Sequence, residues 1–208
     1  MLAEGNGEVG PNAQRGPGSL IAPVDWAPAH ALFARAIAAK STVPEAAVQF
    51  LEPLRTGRGA VAKGSNLLHQ RTLRQLLSYL PASRPDLLIL LVDADGVPSR
   101  KRELDAVVSD LPGTKLIAVA VNEFESWLVS DGAALATVLG VESSKAPHHP
   151  ESLAPSVAKA RLQELTDTVQ DARRARLSLA QNVDLATLIA RCPAFAKCLD
   201  ELQTLLKR

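Results

Sequence analysis

Six carboxylates stand where short apolar runs of this chain end. Asp93 and Asp95 close LLILLVDADG at residues 87–96, Glu123 and Glu125 follow KLIAVAV at 115–121, and Glu4 and Glu8 follow the opening MLA. Each piece alone has a plain structural meaning. Asp-x-Asp-Gly is also the sequence of a turn, with either aspartate capping the next helix. Glu123 and Glu125 suit the first turn of a helix, where acidic residues favour the macrodipole. Glu4 beside Gly5 signifies nothing by itself. Their joint occurrence at three successive strand ends predicts a cluster, because ligands of open parallel sheets bind at the carboxyl ends of the strands. Neighbouring strands lie ~4.8 Å apart, which brings such carboxylates within reach of one cation. Several carboxylates do not stay ionised together in a cleft without a counter-charge, and clustered acids mark sites. A divalent metal with oxygen ligands, magnesium or else manganese, supplies that charge.

Competing motifs are weaker. Gly57, Gly59 and Ala62 formally match G-x-G-x-x-A, but no clear strand-to-helix turn surrounds them, and no G-x-x-x-x-G-K-[ST] exists in the chain. Dinucleotide binding and unaided ATP hydrolysis are therefore not expected. His148 and His149 sit between prolines without a partner Cys or second His pair, which predicts surface residues rather than metal ligands. No serine lies in a nucleophile elbow. Basic residues are placed more suggestively. Arg55, Arg58 and Lys63 lie in the glycine-rich stretch TGRGAVAKGS, Arg71 and Arg74 on the segment after it, and Arg100, Lys101 and Arg102 directly behind the aspartates. Such side chains either hold a nucleic-acid backbone near the metal or form a solvated helix face.

The elements that must position these groups follow from the apolar pattern. Residues 87–92 and 115–121 are apolar without polar alternation, as strands covered on both faces are. Helical periodicity marks 29–40, 66–80 and 99–111, the second of these ended by Pro81. Residues 1–4 read as the end of a strand, AAVQFLEPL as holding a short one, and PNAQRGPGSLIAPVDWAP as loop, since Pro and Gly interrupt any period. Strands alternating with helices predict an α/β fold with a parallel sheet. Beyond Phe124 the pattern is helical only, broken by ESSKAPHHPESLAP.

Composition narrows the class. A chain of 208 residues is one domain, or one domain with an extension. Its residues are 47% apolar but only 3% aromatic, so Ala, Leu and Val must fill the core. The charges, 23 Lys and Arg against 22 Asp and Glu, exclude a global attraction to nucleic acid or acidic membranes and confine any basic surface to a patch. The N-terminus has no secretory pattern, and no apolar run approaches the ~20 residues of a membrane span. Cys192 and Cys198, six apart, match neither a metal nor a disulfide spacing. A cytoplasmic protein with free thiols is the expectation.

Glu4-Gly5 with Glu8, and Asp93-x-Asp95-Gly96, resemble the acidic signature of the Toprim fold. Topoisomerases, primases and nucleases of the overcoming-lysogenization-defect type share that fold. The stretch VNEFESWLVSDGAAL, residues 121–135, resembles a bacterial Toprim-like family of unknown function with an E-x-E motif before a Trp-Leu helix. EPLRTGRGAVAKG and the closing segments AKARLQEL and LSLAQNVDLATLIARCPAFAKCLDEL are similar to the same family. The resemblance implies a Toprim-like α/β core over 1–140 and a helical C-terminal extension over 141–208 packed on it. It implies a magnesium- or manganese-dependent nuclease in which Asp93 and Asp95 ligate the metal and Glu4 acts as ligand or as base towards water. Glu8, Glu123 and Glu125 would support the cluster, with Arg55, Arg58 and Lys63 binding nucleic acid. Kinship further implies an ATPase partner in phage defence. The alternative is a non-catalytic Toprim-like subunit that docks on such an ATPase. A phosphate-accepting receiver domain is a third option, which lacks the lysine expected at the end of a later strand. Two structural expectations follow: residues 1–4 pair parallel to 87–92, and Trp127, with Leu128 and Leu135, is buried against the sheet with Glu123 and Glu125 at the acidic rim.

Overall fold

In the computed structural model, residues 1–3, 19–52, 67, 69–77, 85–110, 112–167 and 169–207 are described. Five strands occur among them: β1 (Leu2–Ala3), β2 (Leu20–Ile21), β3 (Phe50–Leu51), β4 (Leu87–Asp93) and β5 (Thr114–Ala120). The main sheet has the order β1-β4-β5 and is parallel throughout. Leu2 stands opposite Leu90 and Ala3 opposite Leu91, so the opening residues pair with the central strand as expected. Leu87 to Asp93 then run in register with Thr114 to Ala120.

Successive side chains of a strand point to opposite faces, and here both faces are covered. On one face Leu2, Leu88, Leu90, Val92 and Ile117 pack with Leu73 of α2 (Gln70–Leu77) and with Leu104, Val107 and Val108 of α3 (Arg100–Val108). On the other, Ala3, Ile89, Leu91, Leu116, Ala118 and Ala120 meet Leu32 and Phe33 of α1 (Pro28–Lys40). The protein is thus a mixed α/β fold whose parallel sheet lies between helices.

The remaining helices are α4 (Glu125–Leu128), α5 (Gly132–Leu139), α6 (Val157–Thr166), α7 (Ala172–Asn182), α8 (Leu185–Arg191) and α9 (Pro193–Leu206). Those beyond residue 141 belong to the core that covers the second face of the sheet. Leu162, Leu179, Leu188, Phe195 and Leu202 share one apolar cluster with Leu91 and Leu116, while α7 packs on α1 and α9 on both β5 and α1. Lys101 of α3 reaches past β5 to Glu201 of α9 at 2.8 Å and donates to the carbonyl of Ile117 at 3.3 Å.

Local chemistry explains where the helices start. Asp131, Asp171 and Asp184 each accept a backbone N–H of the helix they precede, at 2.7–2.9 Å. α1 begins with Pro28, and the His30 ring in its first turn accepts the Ala27 N–H at Nδ1, 3.1 Å away. Burial pushes His30 down to about 3, so it is neutral there. The stretch 11–28 is not loop alone. Leu20 and Ile21 pair antiparallel with Leu51 and Phe50, a ribbon two residues long and too short to show a strand period in sequence.

Candidate functional site

The three parallel strands end along one side of the sheet, and that side carries the described part of the acidic set. Glu4 and Glu8, which follow β1, lie outside the described residues, as do Arg55, Arg58 and Lys63.

Asp93 is the last residue of β4 and is half-buried. Its Oδ1 accepts the N–H of Phe124 at 2.8 Å, at the start of α4. That bond draws the segment after β5 onto the end of β4, and the Ala94 N–H, 2.8 Å from the Ala120 carbonyl, prolongs the ladder by one step. Then the chain turns. Val97 N–H closes onto the Ala94 carbonyl at 2.8 Å, with Asp95 at φ +49° and Gly96 at φ +74°. Aspartate is among the few residues that tolerate this left-handed region, and glycine enters it without cost. The two aspartates are therefore not carried on one extended segment, as alternate residues of a strand would be. Extension ends at Asp93, and Asp95 stands exposed on the turn. Neither aspartate caps α3, where Ser99 instead donates to Glu103 at 2.6 Å.

The second acidic pair divides. Glu123 is buried and its Oε2 accepts the Lys159 N–H at 2.9 Å, in the first turn of α6. It thus serves as a helix cap and does not face the rim. The Glu125 carboxylate, half-buried in the first turn of α4, makes no hydrogen bond or ion pair among the described residues. After them α4 turns Trp127 and Leu128 inward. Trp127 is fully buried, edge-on to Phe195 at 5.0 Å, in the cluster that includes the sheet and Leu135.

Glu151 is a residue that sequence reasoning missed. It is buried, accepts the Trp127 indole N–H at 2.9 Å through Oε1, and caps α9 by accepting the Ala194 N–H at 2.8 Å through Oε2. Its partners are 24 and 43 residues away, so no local spacing announces it. Asn122 fastens the same loop by donating to the Leu153 carbonyl at 2.6 Å.

Among the basic residues, Arg74 pairs with Asp110 at 2.8 Å on the surface, and Arg71 and Arg102 are exposed. His148 and His149 are exposed. Cys192 and Cys198 are free and buried, and burial pushes the Cys198 thiol up to about 12 and that of Cys192 higher still, so neither is a nucleophile.

Among the described residues no three Asp, Glu, His or Cys side chains converge as a metal cage. Magnesium does not require one, since it commonly takes one or two carboxylates and completes its shell with water and substrate phosphate. Asp93 and Asp95 on the β4 turn fit that donor set. Glu123, buried as well as bound to the Lys159 N–H, does not, whereas Asp93 is half-buried and gives one oxygen to the Phe124 N–H. No helix among the described residues is long and apolar enough to cross a membrane. No protein-family model matches the chain, and no curated protein or solved structure matches it significantly.

Proposed function

We propose that this chain is a Toprim-like, magnesium- or manganese-dependent phosphodiesterase acting on nucleic acid, with its site at the carboxyl end of β4. The observation that supports this reading most is the parallel pairing of β1 with β4, by which β1 ends on the same side of the sheet as Asp93. In this reading Asp93 and Asp95 hold the cation. Glu4 and Glu8, outside the described residues, complete or assist the set, and Arg55, Arg58 and Lys63 neutralise backbone phosphates. A bound divalent cation supplies a water nucleophile at neutral pH and a counter-charge for the phosphoryl oxygens. The chain's own task is to hold that carboxylate pair in place. The Phe124 N–H fixes the Asp93 side chain, and Gly96 lets the chain turn away without crowding the ligands.

A second reading has an observation in its favour. Asp93 and Glu123 both direct a carboxylate oxygen to a backbone N–H, as purely structural acids do. In that case the chain is a non-catalytic subunit that keeps the fold and docks on an ATPase. Titrating magnesium or manganese into the wild type and Asp93→Asn by calorimetry, beside cleavage of labelled DNA and RNA, decides between the two. An Asn Oδ1 still accepts the Phe124 N–H, so the variant keeps that bond while it removes the charge and turns the second carboxylate oxygen into a donor. Binding heat and cleavage that are lost together support the phosphodiesterase, whereas no heat in either protein and no cleavage support the subunit.

A further inference from the structure

Beside the Asp95–Gly96 turn, α3, β5 and α9 border a cavity of about 410 Å³. Its apolar lining includes Val97 of the turn and Ile117 and Val119 of β5, and its charged lining is Arg100, Lys101, Lys197 and Glu201. The cations differ in what they already hold. Lys101 is engaged by Glu201 at 2.8 Å and by the Ile117 carbonyl. The Arg100 side chain is only 15% exposed, its Nε is buried without an acceptor among the described residues, and Glu103 lies 3.8 Å from its Nη1. Lys197 is exposed and makes no ion pair among the described residues.

Guanidinium is a donor-only group, and a buried donor left without an acceptor costs free energy that an anion restores. An apolar slot of this size with cations contributed by α3 and α9 suits a ligand that joins a flat apolar body to an anionic group. A nucleotide has that form. We propose that the cavity takes one unpaired nucleotide of a single strand, its base against Val97, Ile117 and Val119 and its phosphate on Arg100 and Lys197. Because the Asp95–Gly96 turn borders the cavity, a strand seated there passes its neighbouring phosphodiester to the acidic loop. The inference rests on the phosphodiesterase reading and adds the substrate class, single-stranded nucleic acid. A duplex keeps its bases stacked and paired, and must spend a few kcal/mol to turn one out.

The test is fluorescence anisotropy of a short labelled thymidine oligonucleotide with the full chain in EDTA, where no metal-dependent cleavage occurs. The strand binds, and a blunt duplex of equal length binds about a hundredfold more weakly, matching the unstacking cost. Lys197→Glu, on an exposed helix face, and Val97→Trp, which fills the slot, each weaken strand binding about tenfold without changing thermal melting. Equal affinity for the duplex, or indifference to both substitutions, overturns the proposal. Thymidine monophosphate that competes as well as the oligonucleotide also overturns it, by making the cavity a free-nucleotide site. Cleavage with manganese is scored separately. Cleavage with an unchanged KM in both variants removes the cavity and leaves the phosphodiesterase. Strand binding at the cavity without any cleavage by the wild type removes the phosphodiesterase and leaves the cavity.

Discussion

Asp93-x-Asp95 and Glu123-x-Glu125 share one pattern: each follows a buried parallel strand, β4 or β5, and each spaces two acids by a single residue. Their surroundings separate them. After β5 four residues lead into α4, Trp127 anchors that helix in the core, and Glu123 is buried against the first turn of α6. After β4 the chain turns through two left-handed residues before α3 begins, which leaves Asp95 in solvent and only Asp93 tied. The lesson concerns unsatisfied backbone donors. The first N–H groups of a helix have no intrahelical acceptor, and an acid that meets them becomes part of the scaffold. An acid that a turn holds away from them stays available to a ligand.

Substitutions can break this contrast, beginning with the largest effect. Glu151 is the extreme scaffold acid, and Glu151→Ala strips acceptors from the Trp127 indole and the start of α9; it should cost about 3 kcal/mol in denaturant unfolding. A loss under about 1 kcal/mol would mean that these bonds carry little of the fold. Glu123→Ala should cost about 1–2 kcal/mol, the value of a helix cap, and Glu123→Gln should recover most of it because an amide oxygen also accepts the Lys159 N–H. If Gln recovers nothing while metal affinity falls in both variants, Glu123 is a ligand after all. Asp93→Asn should change stability by less than about 0.5 kcal/mol while abolishing cation binding, which calorimetry and thermal melting read together. Asp95→Gly should not destabilise the fold, raising stability by at most about 1 kcal/mol as it relieves a left-handed aspartate, and should still weaken cation binding. A destabilised Asp95→Gly would show that its carboxylate holds the turn.

The layered parallel core was legible because buried strands declare themselves. LLILLVD and KLIAVAV have no polar alternation, and that absence is the mark of a sheet covered on both sides. Trp127 was legible too, from its place beside Leu128 at the start of a helical pattern. What stayed hidden depends on contacts distant in the chain. Glu123 looks identical to Glu125 until α6 arrives from 36 residues away, and Glu151 is an unremarked loop acid until it meets Ala194. The bend at Asp95 was half legible: the sequence DG signals a turn, but whether the first aspartate or the second leaves the strand depends on how far the β5 ladder reaches. The ribbon of β2 and β3 was hidden for a simpler reason, since two residues carry no period.

The Lys101 side chain has a consequence for how copies of this protein meet. A parallel sheet normally offers, along its outermost strand, a row of carbonyls and amides on which a foreign strand can template itself. Beyond β5 one position of that row is taken: Lys101 donates to the Ile117 carbonyl, its pairing with Glu201 ties α9 alongside, and α9 packs on the strand. A newcomer would have to evict a helix and break an ion pair before gaining its first backbone bond. The Lys101–Glu201 pair and α9 thus oppose growth of the sheet from molecule to molecule on that flank.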